Sequence, residues 1–154
     1  MFITTRFPRL YRRFLYSVVL VSWCSGIAFF IFSRYVLIEG EFGPEKHSWQ
    51  FPLLKLHGAA AFMMMVSLGA VITSHVPAGW RTGRHRVFGS VLLASVIFMV
   101  LSAWLLYYLS NDTNRELIGN IHAAVGVILP FTVFWHVLQG IRLKRQRASG
   151  IRAA

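Results

Sequence analysis

The sequence predicts an all-α membrane protein, a four-transmembrane-helix bundle with both termini on the cytoplasmic side. Three observations carry that prediction. Four long stretches are almost free of charge, at 14–33, 56–80, 87–109 and 117–141. The composition is 56% hydrophobic and only 14% charged, against about 25% charged in an ordinary globular domain. The charges that do occur are unevenly shared between the gaps: in a four-span topology all five acids fall on one side and 12 of the 16 Lys and Arg on the other.

Each apolar stretch is 20 residues or longer. A helix of that length crosses the ~30 Å hydrocarbon core at ~1.5 Å per residue. A β-barrel would need alternating segments of about ten residues instead, and this pattern is absent. The first span follows a basic segment, 1–13, which holds Arg6, Arg9, Arg12 and Arg13. Its apolar run exceeds a signal-peptide core and no A-x-A-like site follows, so an uncleaved helix is expected. The longest loop, 34–52, leads to the second span, which Leu53 and Leu54 precede, and is expected to carry a short interfacial element. A short loop with Arg81, Arg84 and Arg86 joins the second span to the third. Short connections make consecutive helices antiparallel neighbours. The fourth span ends in a basic tail, 142–154, with Arg142, Lys144, Arg145, Arg147 and Arg152. The membrane domain is therefore 14–141.

The 16 Lys and Arg outnumber the five acids, for a net charge of +11. In a four-span topology the basic segments above all fall on one side. The other side holds Arg34, Lys46, Lys55 and Arg115 with every acid, Glu39, Glu41, Glu45, Asp112 and Glu116. The positive-inside rule then places both termini in the cytoplasm. The excess charge is topological and meets membrane lipid, so nucleic-acid binding is not expected. Trp49, Trp80, Tyr107 and Tyr108 fall where interfacial aromatic belts form. The single cysteine, Cys24, excludes an internal disulfide framework and a cysteine-based metal cluster within the chain.

The six histidines carry the functional signal, because ionisable groups inside a membrane are costly unless used. His57 and His75 lie 18 residues apart in the second span, which is five turns, about 27 Å, on one face. His122 and His136 lie 14 residues apart in the fourth, within about 40° of one face and ~21 Å apart. The two spans run in the same direction, so His57 and His122 share one depth near the outer surface. His75 and His136 share another, near the inner surface. Two imidazoles are too few for zinc, which takes three or four protein ligands. They suit a six-coordinate iron whose other four ligands are porphyrin nitrogens. Without a Cys-x-x-Cys-His segment the haem is of the b type. Gly79, Gly89, Gly126 and Gly140 each follow a histidine by four residues, which leaves room for a macrocycle. Pro130, between His122 and His136, would bow the last helix. His85, between Arg84 and Arg86, is the alternative to His75 as inner partner of His136. His47 reads as a solvated loop residue.

The run IHAAVGVILPFTVFWH, with LHGAAAF around His57 and GRHRVFG around His85, resembles the small bacterial membrane cytochromes b. These include cytochrome b561-like proteins and the anchor subunits of formate dehydrogenases and hydrogenases. The resemblance covers 53–141. It implies two b haems, one near each face, with His122 for the outer and His136 for the inner. It also implies exchange of electrons with quinone or quinol in the bacterial inner membrane. The periplasmic partner would be a c-type cytochrome or a dehydrogenase subunit. The first span departs from the pattern because it holds no histidine. Two other functions compete. One is a stand-alone quinol-linked oxidoreductase, such as a superoxide oxidase steering its anion with Arg34, Lys46, Lys55 and Arg115. The other is a haem-free anchor or assembly subunit.

Overall fold

The computed structural model describes residues 7–82 and 86–152. Helix α1 is Arg9–Tyr35. A hairpin follows, β1 Leu37–Gly40 paired antiparallel with β2 Gly43–Lys46. Helix α2, Gln50–Ala70, runs through a π-helical segment, Val71–His75, into the short α3, Val76–Thr82. Helices α4, Arg86–Tyr108, and α5, Asp112–Arg152, complete the chain. Among the described residues four helices are long and apolar enough to cross a membrane: Arg9–Tyr35, Gln50–Arg81, Arg86–Tyr108 and Asp112–Leu143. The protein is thus a multi-pass membrane protein.

Three of the four helices outrun the apolar stretches that predict them, while Arg86–Tyr108 matches its own to within one residue at each end. Backbone hydrogen bonding does not stop at the hydrocarbon edge, and polar residues such as Arg9, Gln50 and Asp112 extend the other three outward at no burial cost. Consecutive spans are antiparallel. Tyr11 in α1 donates its hydroxyl to the Ser67 carbonyl of α2 at 2.6 Å, while Phe32 near the other end of α1 meets His47 just before α2. Helix α1 also runs antiparallel to α5, with Trp23 edge-on to Phe131 and Arg34 bonded to Glu116. The end carrying Arg9, Arg81 and Arg142 is called the basic end below; the opposite end carries the β-hairpin.

Helix seams in this bundle are small and weakly polar. Ser22, Ser25, Ser67 and Ser102 are buried, with Ala60, Val18 and Leu129. Each buried serine must satisfy its own hydroxyl. Ser25 donates to the Val21 carbonyl, Ser67 to Met63 and Ser102 to Met99. Large side chains such as Phe62, Phe131 and Phe134 point outward. This inverts the arrangement of a water-soluble core. Lipid tails are as apolar as leucine, so only close packing and hydrogen bonds separate inside from outside.

The π-helical segment has a local cause. Pro77 has no N–H to give the Thr73 carbonyl, and its ring crowds the turn before it. A wider turn relieves the clash. Thr73 and Ser74 then donate their hydroxyls to the Gly69 and Ala70 carbonyls, as polar side chains do where a membrane helix loosens. The wider turn takes in one extra residue, which brings His75 about 1.5 Å nearer to His57 along the axis. This removes part of the mismatch between the 18-residue spacing in the second span and the 14-residue spacing in α5.

The loop expected at 34–52 folds as the hairpin. Glu41 and Phe42 make its turn, and Gly43 adopts a φ of +115°, a conformation side-chain-bearing residues rarely take. At the basic end Arg86 donates to the Trp80 carbonyl at 3.2 and 2.8 Å from two of its nitrogens. This ties the end of α3 to the start of α4.

Candidate functional site

Helix α2 packs along α1, α4 along α5, and α1 against α5, but α2 and α5 scarcely approach each other at the backbone. Histidines face each other across this gap. The ring centres of His57 and His122 are 6.4 Å apart, with planes at 89°. Those of His75 and His136 are 6.1 Å apart, with planes at 82°. The two pairs are about 21 Å apart along α5, by its rise of ~1.5 Å per residue.

These separations have a simple chemical counterpart. An imidazole nitrogen binds a first-row metal at about 2.0 Å, and the nitrogen is about 1.1 Å from the ring centre. Two rings on opposite sides of one metal therefore stand with their centres about 6.2 Å apart. Both observed pairs match this spacing. Among the described residues no group of three or more His, Cys, Asp or Glu gathers that could hold a bare metal ion.

The tautomers of the first pair follow from their hydrogen bonds. His57 Nδ1 lies 2.9 Å from the Ser22 carbonyl of α1. A carbonyl only accepts, so Nδ1 carries the hydrogen and Nε2 keeps its lone pair. His122 Nδ1 lies 2.7 Å from Ser102 Oγ of α4. That hydroxyl donates to the Met99 carbonyl at 3.2 Å, which leaves its oxygen to accept from Nδ1. Both rings thus keep Nε2 for a ligand, held by the kind of outer partner that orients metal-bound histidines. The partners come from α1 and α4, so all four spans build this site.

Gly26 completes it. A Cβ at this position would lie 2.8 Å from His57 Cε1 and 2.9 Å from its Nδ1. Only glycine lets the Cε1–Nδ1 edge of the ring come this close to α1. Sequence reading missed Gly26 because α1 holds no histidine to mark it; its signal is the run of small residues in Cys24-Ser25-Gly26. Of the glycines placed four residues after a histidine, Gly126 is a helix contact, where a Cβ would meet Met99 Cε at 3.1 Å. Gly79, Gly89 and Gly140 border open space.

At the basic end Phe7 packs on Tyr11 with ring centres 4.6 Å apart and lies 6.2 Å from the His75 ring. The alternative ligand His85 lies outside the described residues. His47 is away from both pairs. Its ring packs edge-on to Phe32 at 5.1 Å, and its Nδ1 accepts from the Trp49 N–H at 3.1 Å, which helps start α2. Cys24 is exposed on α1. Arg34, one of the residues expected to steer an anion, is engaged instead: it donates to Glu116 at 2.6 Å and to Asn120 at 3.0 Å. Lys55 lies over the Phe51 ring at 4.6 Å.

No family model matches this sequence, and neither the curated proteins nor the solved structures searched with it contain a match.

Proposed function

We propose that this chain is a di-haem b-type cytochrome of the bacterial inner membrane. In this reading it carries electrons between quinol or quinone and a periplasmic redox partner, a c-type cytochrome or a dehydrogenase subunit. Both termini are cytoplasmic in this reading, which the positive charge at the basic end supports. One observation carries the proposal: two histidine pairs, each with the spacing of two imidazoles on one metal, bridge helices that otherwise scarcely touch.

His57 with His122 would hold one haem, and His75 with His136 the other. Bound there, haem supplies a one-electron couple at each membrane depth. The protein's own part is ligation, orientation and exclusion of water. The Ser22 carbonyl and Ser102 hydroxyl hold the two outer rings in one tautomer and increase the basicity of Nε2. The apolar outer surfaces of the helices insulate the path between the pairs. Arginines at the basic end, Arg81 and Arg142 among them, favour the anionic side groups of a haem and raise its potential. The haem-free alternative would use the histidines as interhelical glue, but His57 and His122 spend their Nδ1 hydrogens on other helices rather than on each other.

A pyridine haemochrome assay on the detergent-purified chain, with protein measured independently, tests the proposal. Two b haems per chain are expected; a folded, haem-supplied protein that holds none would overturn it. Ser102→Ala should weaken retention of the outer haem by about 10-fold to 100-fold. It should also raise that haem's potential, since Nε2 becomes less basic, and leave the inner haem unchanged. Haem transfer to a scavenger protein and a redox titration read the two effects separately.

A further inference from the structure

We propose that the face between α1 and α5 is a seat for one anionic phospholipid, with its phosphate on Arg9, Arg12 and Arg13 and an acyl chain in the groove beyond them. An apolar groove of about 420 Å³ lies between the two helices. Tyr16, Leu20 and Trp23 form its α1 wall, and Pro130, Phe134 and Val137 are on its α5 wall. Tyr16 also borders a recess formed with Arg9, Arg12 and Arg13. The cationic recess and the apolar groove therefore meet at one residue.

The dimensions fit a lipid of one leaflet. From Arg13 to Trp23 is ten residues, or ~15 Å of helix, and half of a ~30 Å hydrocarbon core is the same depth. A phosphate at the arginines would place the end of its chain beside Trp23 and Pro130, near the bilayer centre. Gly140 continues the α5 wall toward the basic end, and a Cβ there would meet nothing within 4 Å, so space remains for the glycerol. Charge selects the occupant. The three arginines are exposed, and all five acids of the chain lie in the hairpin or at the start of α5, at the other end of the bundle. Among the described residues no acidic side chain at that end competes for the guanidinium groups. A neutral occupant such as a quinone would leave them unused.

Native mass spectrometry of the full chain, given equal amounts of phosphatidylglycerol and phosphatidylcholine with matched acyl chains, tests the seat. One retained phosphatidylglycerol is expected, in preference to phosphatidylcholine. Removing charge with Arg9→Gln, Arg12→Gln and Arg13→Gln should weaken retention about fivefold for each arginine. Arg→Lys changes at the same positions should restore part of it. Leu20→Trp, at a position 59% exposed, should block the groove with every arginine in place. Circular dichroism and gel-filtration profiles establish that each variant remains folded. Equal retention of the two lipids would overturn the proposal. So would phosphatidylglycerol retention that survives Leu20→Trp, since it would then sit elsewhere on the basic end. A co-purified quinone that Leu20→Trp removes would also overturn it, by giving the groove a neutral occupant.

Discussion

Replacing His122 by alanine is expected to halve the haem b content of the purified protein and leave the signals of the other haem intact. His57→Ala should do the same, and the double variant should lose no more than either single one. In the proposed reading the two imidazoles would hold one haem together, so their effects should belong to a unit and not add. His75→Ala and His136→Ala should remove the complementary half. This pattern of two groups, each non-additive within itself and additive with the other, follows from the pairings across α2 and α5. Haem quantification on the four single variants, the two within-pair doubles and one cross-pair double reads it directly. Electron paramagnetic resonance adds a check on geometry. Ring planes at 89° and 82° predict strongly anisotropic low-spin signals, the spectral mark of nearly perpendicular axial imidazoles. One such signal should vanish with each pair. If haem content were unchanged in all four single variants, these histidines would not be its ligands.

The second large effect is expected at Gly26, a residue with no functional group. In Gly26→Ala the new Cβ would stand 2.8 Å from His57 Cε1, well inside the ~3.5–4.0 Å of an ordinary carbon contact. Neither partner moves easily, because the Nδ1 hydrogen bond to Ser22 holds the ring against the same helix that carries Gly26. Overpacking of this kind costs about 1–3 kcal/mol. We expect that cost to fall on the outer site, as weaker haem retention of about tenfold or more, since ~1.4 kcal/mol corresponds to tenfold. Gly69→Ala provides the contrast. A Cβ there meets nothing within 4 Å, and alanine stabilises a helix over glycine by up to about 1 kcal/mol. It should be neutral or stabilising. Thermal melts with haem absorbance as the readout separate the two, and equal behaviour would show that the ring does not depend on the Gly26 contact.

The ion pair at the hairpin end carries less weight. Arg34 and Glu116 are 2.6 Å apart, but their side chains are 34% and 59% exposed. A pair this open contributes no more than about 1 kcal/mol. Its effect is to engage Arg34 with α5, which weakens the case for a free cationic funnel on this face.

Much of the architecture is legible in the chain because a bilayer imposes a one-dimensional rule. Any segment crossing it must be apolar for about 20 residues and must satisfy its own backbone, and a helix does both. The four spans, their antiparallel order and the shared depths of the histidines therefore follow from residue types and spacing alone. The facing of His57 toward His122 and of His75 toward His136 is also predictable, because helical periodicity places each pair of histidines on one side of its helix. Other features depend on neighbours distant in sequence. Only the folded bundle brings the Ser22 carbonyl to His57, Ser102 to His122 and the bare backbone of Gly26 under an imidazole. The π-helical turn before Pro77, which brings His75 closer to the depth of His136, also emerges only when sterics and hydroxyl donors are resolved together. Residue types are enough to say which segments cross the membrane and at what depth the histidines lie, since burial in lipid acts on each helix separately. How each ring is held depends on the assembled bundle, since tautomer, orientation and close approach are set by atoms on another helix.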